Sequence, residues 1–97
     1  MKTKEGIIIT IKELKQNLQE KYKIREIGIF GSIIREEEKE TSDIDLLVDF
    51  KEEADFFDLI GLALFLEEKL HRRVDIVPKR ALRKEIKDEV LKEVIAL

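Results

Sequence analysis

The chain has no cysteine, which excludes disulfides, thiolate-bound metals and cysteine nucleophiles together. Its one histidine, His71, leaves no histidine-built zinc site to consider. Pro78 is the one proline, and no tract rich in glycine, serine or proline marks an internal linker, a repeat or a low-complexity segment. Long apolar runs are missing too. The three isoleucines at 7–9 are too short for a signal peptide, and nothing approaches the roughly 20 apolar residues of a membrane span. The expectation is a soluble, cytoplasmic protein with no membrane partner. Neither charge sign dominates: 19 Lys and Arg face 22 Asp and Glu, for a net charge of −3. That balance exerts no global pull on nucleic acid or anionic lipid, which argues against both as partners.

What the chain does have is charge at 42% and hydrophobic residues at 43%. The first gives a Lys/Glu-heavy surface like that of many thermophile proteins, and the second is enough for a packed core rather than a disordered chain. Ninety-seven residues predict a single domain, 1–97, with room for a small sheet and a few helices. A separate substrate-binding domain hardly fits. Either a ligand brings its own surface, or a partner chain completes any site.

Hydrophobic spacing predicts the elements. Thr10 followed by Glu13 reads as a capping box, and Ile11, Leu14, Leu18 and Tyr22 place a helix over 11–22. Residues 24–30 are rich in β-formers and end at Gly31, which gives a first strand. A short helix starts near Ser32, followed by a polar loop to Ser42. Residues 43–50 alternate, with Ile44, Leu46, Val48 and Phe50 on one face and Asp43, Asp45, Leu47 and Asp49 on the other. Asp55 can cap a helix over 56–70 that is apolar on nearly every side, so it is deeply buried or meets another chain. Residues 73–77 predict a third strand stopped by Pro78, and Leu82, Ile86, Val90, Val94 and Leu97 lie along one side of a last helix. The order α-β-α-β-α-β-α is an α/β (α+β) arrangement, a small mixed sheet flanked by helices.

The chemistry sits in a spaced set: Gly31-Ser32, ten residues, Asp43-Ile44-Asp45, and later Asp75. Two aspartates two apart on a strand share a face and repel, and aspartate is disfavoured in strands. A divalent cation is the natural offset, and Mg²⁺ prefers carboxylate oxygens together with substrate phosphates. Asp75 on a neighbouring strand could be a third ligand and could accept a proton from an attacking hydroxyl. Two metals held so would stabilise the attacking and leaving oxygens together. Glycine after a strand admits phosphates close to the backbone, Ser32 adds a donor, and Arg35 can pair with a phosphate oxygen or brace an aspartate.

Each feature alone also has a plain structural reading. Gly-Ser is a common turn, Asp-x-Asp is often surface, and Arg35 beside Glu36, Glu37 and Glu38 can make exposed ion pairs. The Asp-x-Asp is no EF-hand, since Leu47 stands at the third oxygen position. His71 reads as a helix C-terminal charge, and Lys79, Arg80, Arg83 and Lys84 as a solvated face. Their order and spacing together carry the weight.

That order resembles the signature of the DNA polymerase beta-like nucleotidyltransferase superfamily: Phe30-Gly31-Ser32, nine residues, then Ser42-Asp43-Ile44-Asp45-Leu46-Leu47-Val48. Val74-Asp75-Ile76-Val77 and the short length resemble its minimal nucleotidyltransferase (MNT) branch. The resemblance implies the polymerase beta-like fold, with Gly31, Ser32, Arg35 and Ser42 at an ATP molecule and Asp43, Asp45 and Asp75 as catalytic carboxylates holding Mg²⁺. Members often carry a small residue before that arginine and glycine after it, where this chain has Ile34 and Glu36. The carboxylates are intact, so the expectation is an active enzyme. The resemblance further implies an antitoxin that transfers AMP from ATP to a tyrosine of a HEPN ribonuclease toxin, in a hetero-oligomer with it. Two alternatives remain: a non-catalytic module that blocks the toxin through the 56–70 helix and the 82–97 stripe, and nucleotidyl transfer to RNA or a small molecule.

Overall fold

The architecture rests on one strand pairing that the chain makes early and another that it makes late. The computed structural model describes residues 3–35 and 43–97. Helix α1 (Lys4–Lys21) leads into strand β1 (Ile24–Phe30), short helix α2 (Ser32–Arg35) and strand β2 (Ile44–Phe50). Helix α3 (Phe56–Leu70), strand β3 (Val74–Pro78), a 3₁₀ turn (Lys79–Ala81), helix α4 (Lys84–Glu93) and strand β4 (Ile95–Ala96) follow. The sheet order is β3-β2-β1-β4, with β1 antiparallel to β2 and β4 and β2 parallel to β3. It is a mixed sheet flanked by helices, as the hydrophobic pattern predicts.

The two faces of the sheet have different lives. Ile29 pairs with Leu46 and Ile27 with Val48, while Ile44 and Leu46 pair with Val74 and Ile76. Directly paired residues point the same way, so these apolar side chains form one continuous layer. A bulge between Ile24 and Glu26 shifts the register by one, which returns Ile24 to that layer. Ile7, Ile11 and Leu18 of α1 and Leu62, Leu66 and Leu70 of α3 close over it. Full burial of each such side chain contributes about 1.5–3 kcal/mol, and this layer is the main source of stability. The opposite face carries Asp45, Leu47 and Asp49 of β2 and faces α4.

Helix α1 begins a full two turns earlier than expected. Thr3 is its N-cap, with Oγ1 accepting from the Gly6 N–H at 3.1 Å. The Thr10 hydroxyl donates to the Gly6 carbonyl at 2.8 Å, one turn back inside the helix, so Thr10 and Glu13 form no cap. The apolar stripe continues backward through Ile7, which pulls those turns into the helix.

Helix α3 matches its expected bounds because Asp55 and Asp58 make a reciprocal capping box. His71 ends the helix in the left-handed region at φ 54°, exposed to solvent. Of its apolar surface one side is buried; Phe56, Phe57, Ile60 and Leu64 on the other are exposed. Pro78 closes β3 rather than stopping it one residue earlier, a position open to proline on an edge strand.

The C-terminal helix is shorter than its apolar stripe. Val94 ends it as C-cap, and Ile95–Ala96 turn onto the edge of β1 as β4. Leu97 N–H donates to Ile27 O at 2.9 Å, and Lys15 Nζ reaches Leu97 O at 3.2 Å. Val94 packs over Gly28 so closely that a Cβ there would lie 2.6 Å from its Cγ2. Among the described residues no helix is long and apolar enough to cross a membrane.

Candidate active site

Strand β1 ends at Gly31, whose φ of 86° belongs to the region that favours glycine. A side chain there would overlap the Asp45 carboxylate, so the turn needs glycine for space as well as for conformation. The Gly31 carbonyl accepts from Ile34 and Arg35 N–H at 3.0 and 3.1 Å, which starts α2 and carries Arg35 back over the strand end. Asp45 pairs with Phe30 on one side and with Asp75 on the other. Parallel neighbours in register project to one side of a sheet, so Asp45 and Asp75 face the same space. Asp43 stands just before β2, two residues from Asp45, and is exposed.

These residues border a cleft of about 380 Å³ between the sheet and α4. Gly31, Arg35, Asp45 and Asp75 line it, with Val77, Leu82, Ile86 and Val90 as an apolar wall. A second cavity of about 290 Å³, lined mainly by apolar residues, lies further along the same face near Gly28, Leu47 and Leu91.

The electrostatics follow from the crowding. Burial, then the neighbouring Asp75 and Asp43, push the Asp45 carboxyl up to about 6. Arg35 opposes that rise and Glu93 adds to it. Glu93, at the end of α4, also reaches the strand end directly: its Oε1 accepts from Gly31 N–H at 2.7 Å and from Arg35 at 2.9 Å, with Oε2 at 3.1 Å from the same guanidinium nitrogen. One carboxylate therefore holds the backbone donor and the cation of the glycine turn.

Four of the seven residues marked in the sequence meet in this cleft: Gly31, Arg35, Asp45 and Asp75. Ser32 opens α2 and Asp43 leads into β2, both beside the cleft without lining it. Ser42 and Glu36 lie outside the described residues. Glu93 carries no signal in the sequence. It is one of several acids in a charged helix, and only the return of α4 across the carboxylate face singles it out.

Among the described residues no three histidine or acidic side chains converge as a ready-made metal cage. The donor set nevertheless fits magnesium. Mg²⁺ takes one or two protein carboxylates, keeps several waters and draws its other ligands from phosphates. Asp45 beside Asp75, with the Asp45 proton affinity raised by burial and then by like charge, is such a carboxylate pair.

Comparison with known proteins sets this geometry in a family. The nucleotidyltransferase domain family matches residues 11–97. The chain belongs to it. This nucleotidyltransferase is similar to the protein adenylyltransferase MntA of Thermococcus cleftensis, 44% identical over 98% of this chain and 96% of that one. Its fold is similar to a solved structure provisionally described as a minimal nucleotidyltransferase, with TM-score 0.86 and 35% identity over 99% and 97% of the two chains. It is similar also to a chain of a toxin–antitoxin structure with AMP-PNP, at TM-score 0.73 and 26% identity, covering 94% of this nucleotidyltransferase and 71% of that chain.

Proposed function

We propose that this nucleotidyltransferase is a Mg²⁺-dependent protein adenylyltransferase of the cytoplasm. It transfers AMP from ATP to a tyrosine hydroxyl of a cognate HEPN toxin and thereby acts as its antitoxin. The observation that carries the reading is the in-register pair Asp45 and Asp75 in one cleft with Gly31 and Arg35. The likeness to MntA and to a toxin–antitoxin chain with AMP-PNP supports the acceptor class and the nucleotide.

Gly31 N–H, Ser32 and Arg35 bind phosphate oxygens, and Asp43, Asp45 and Asp75 would hold the metal. Bound there, magnesium would supply charge neutralisation to the phosphates and make the acceptor hydroxyl easier to deprotonate. The acceptor oxygen bonds to the α-phosphorus, the bond from that phosphorus to the pyrophosphate oxygen breaks, and an Asp75 carboxylate oxygen takes the hydroxyl proton. Leu82, Ile86 and Val90 give the cleft an apolar wall beside the reacting groups.

The test is incubation with labelled ATP, Mg²⁺ and the protein of the adjacent gene, beside Asp43→Asn/Asp45→Asn. Label on the partner that is lost in the double variant supports the proposal. Equal labelling by both proteins would remove these carboxylates from the reaction.

A second reading has its own observation. The exposed side of α3, with Phe56, Phe57, Ile60 and Leu64, is an apolar face of the kind a partner covers. On that reading the chain blocks the toxin by complex formation, and a tight complex without label would favour it.

A further inference from the structure

The two groups given to the phosphates, Gly31 N–H and the Arg35 guanidinium, are both engaged by the chain's own Glu93. A carboxylate that accepts at 2.7 Å from a backbone amide and pairs with an arginine through both oxygens is placed as an anionic ligand would be. The tail that carries it is built to present it. Beyond Glu93 the chain is pinned to β1 by the Ile29–Ile95 and Gly28–Ala96 pairs and the Leu97-to-Ile27 hydrogen bond. Before Glu93, α4 buries only Val90 and has no side-chain N-cap. The helix is thus held firmly at its C-terminal end and loosely along its length, with Glu93 at the boundary.

We infer that Glu93 is an intramolecular occupant of the triphosphate site, which ATP must displace from Gly31 and Arg35 in order to bind. The inference rests on the proposed assignment of the phosphates to that turn. With Glu93 docked, the turn's positive charge is answered and its amide is satisfied, so the free protein carries no open anion site there. ATP binding releases the carboxylate toward solvent, where it is readily hydrated, since the side chain is already 23% exposed. The apparent ATP affinity is then reduced by the fraction of molecules in the docked state. Glu93 sets how much nucleotide the enzyme needs before it loads.

The experiment is ATP binding by calorimetry in Mg²⁺, on the full chain, for wild type, Glu93→Gln and Glu93→Ala. Glu89→Gln serves as a charge control, because Glu89 lines the same cleft. Thermal melts confirm that each variant folds, and Glu93→Gln keeps the helix and side-chain shape if the alanine variant does not. Removing a docked state that withholds the site should tighten ATP by about fivefold or more in Glu93→Ala, with Glu93→Gln between it and wild type. Adenosine, which has no phosphates, should bind all four proteins alike. If Glu93→Ala binds ATP no better than wild type, Glu93 braces the turn and the inference is overturned while the proposed function stands. Equal tightening by Glu89→Gln would overturn it too, in favour of a general charge effect. Absence of ATP binding in all four proteins would remove the nucleotide reading and the inference together.

Discussion

Asp45 of β2 and Asp75 of β3 occupy directly paired positions on neighbouring parallel strands, so two carboxylates share one side of the sheet with no residue between them. An ordinary sheet would place opposite charges or apolar groups there. Burial, and after it this pairing, makes the folded state hold its proton on Asp45 up to about pH 6, where an unfolded chain would lose it near 3.8.

The stability consequence has a definite sign. The native state binds the Asp45 proton more tightly than the unfolded state, so this contribution is fully present below pH 3.8 and is lost as pH rises through about 6. At neutral pH Asp45→Asn should therefore be more stable than wild type, by about 1–2 kcal/mol once solvent screening of this part-exposed group is allowed for. Each kcal/mol is about 4–8 °C in melting temperature for a domain of this size. Melts from pH 4 to 8 check it: the gap should open through pH 6 and close at pH 4. A variant that melts lower at pH 7 would show that the crowding is not a burden on the fold.

Metal should act on the same pair in the opposite sense. Millimolar Mg²⁺ or Mn²⁺ should raise the wild-type melting temperature, by about 1.4 kcal/mol of stabilisation at tenfold excess over the dissociation constant. The rise should vanish in Asp45→Asn and Asp75→Asn. It should also fade below pH 6, because the metal must displace the Asp45 proton. Equal shifts in the variants would place any bound metal elsewhere.

Gly31→Ala tests the turn. Its φ of 86° strains any other residue by about 1–3 kcal/mol, and the new methyl would press on the Asp45 carboxylate. The expected outcome is a lower melting temperature together with lost ATP binding, read by melts and calorimetry. Loss of stability with normal ATP affinity would make Gly31 a structural residue only.

Much of this arrangement is legible in the residues alone. Alternation, a glycine stop and an aspartate cap are local signals, and they place β1 and α3 to the residue and β2 to within one. Gly31, Asp45 and Asp75 stand out because their residue types are costly where they stand, and cost calls for a reason. What the pattern does not show is settled by packing between distant segments. Thr10 and Glu13 imitate a cap that Thr3 supplies, and the choice depends on whether Ile7 finds a core to enter. β4 is two residues long, too short for any periodicity, and exists because Gly28 lets Val94 approach β1. Glu93 gains its place only once that strand has turned α4 across the cleft.

The outer side of α3 separates docking from chemistry. Phe57 is 79% exposed and Leu64 61% exposed, seven residues apart on one stripe with Phe56 and Ile60 beside them. Neither side chain contributes to the buried layer, which α3 supplies through Leu62, Leu66 and Leu70. Phe57→Glu and Leu64→Glu should therefore change stability by no more than about 0.5 kcal/mol, as substitutions outside the core do. If the partner docks on this face, each charge would be buried against apolar surface, and the complex should weaken by at least about tenfold in a pull-down or calorimetric titration. ATP binding should not change, since the cleft lies across the sheet from α3. Loss of partner labelling with ATP affinity intact would assign α3 to docking and the carboxylates to chemistry. An unaffected complex would move the docking surface to another part of the molecule, with the exposed Ile86 and Leu91 of α4 the next to substitute.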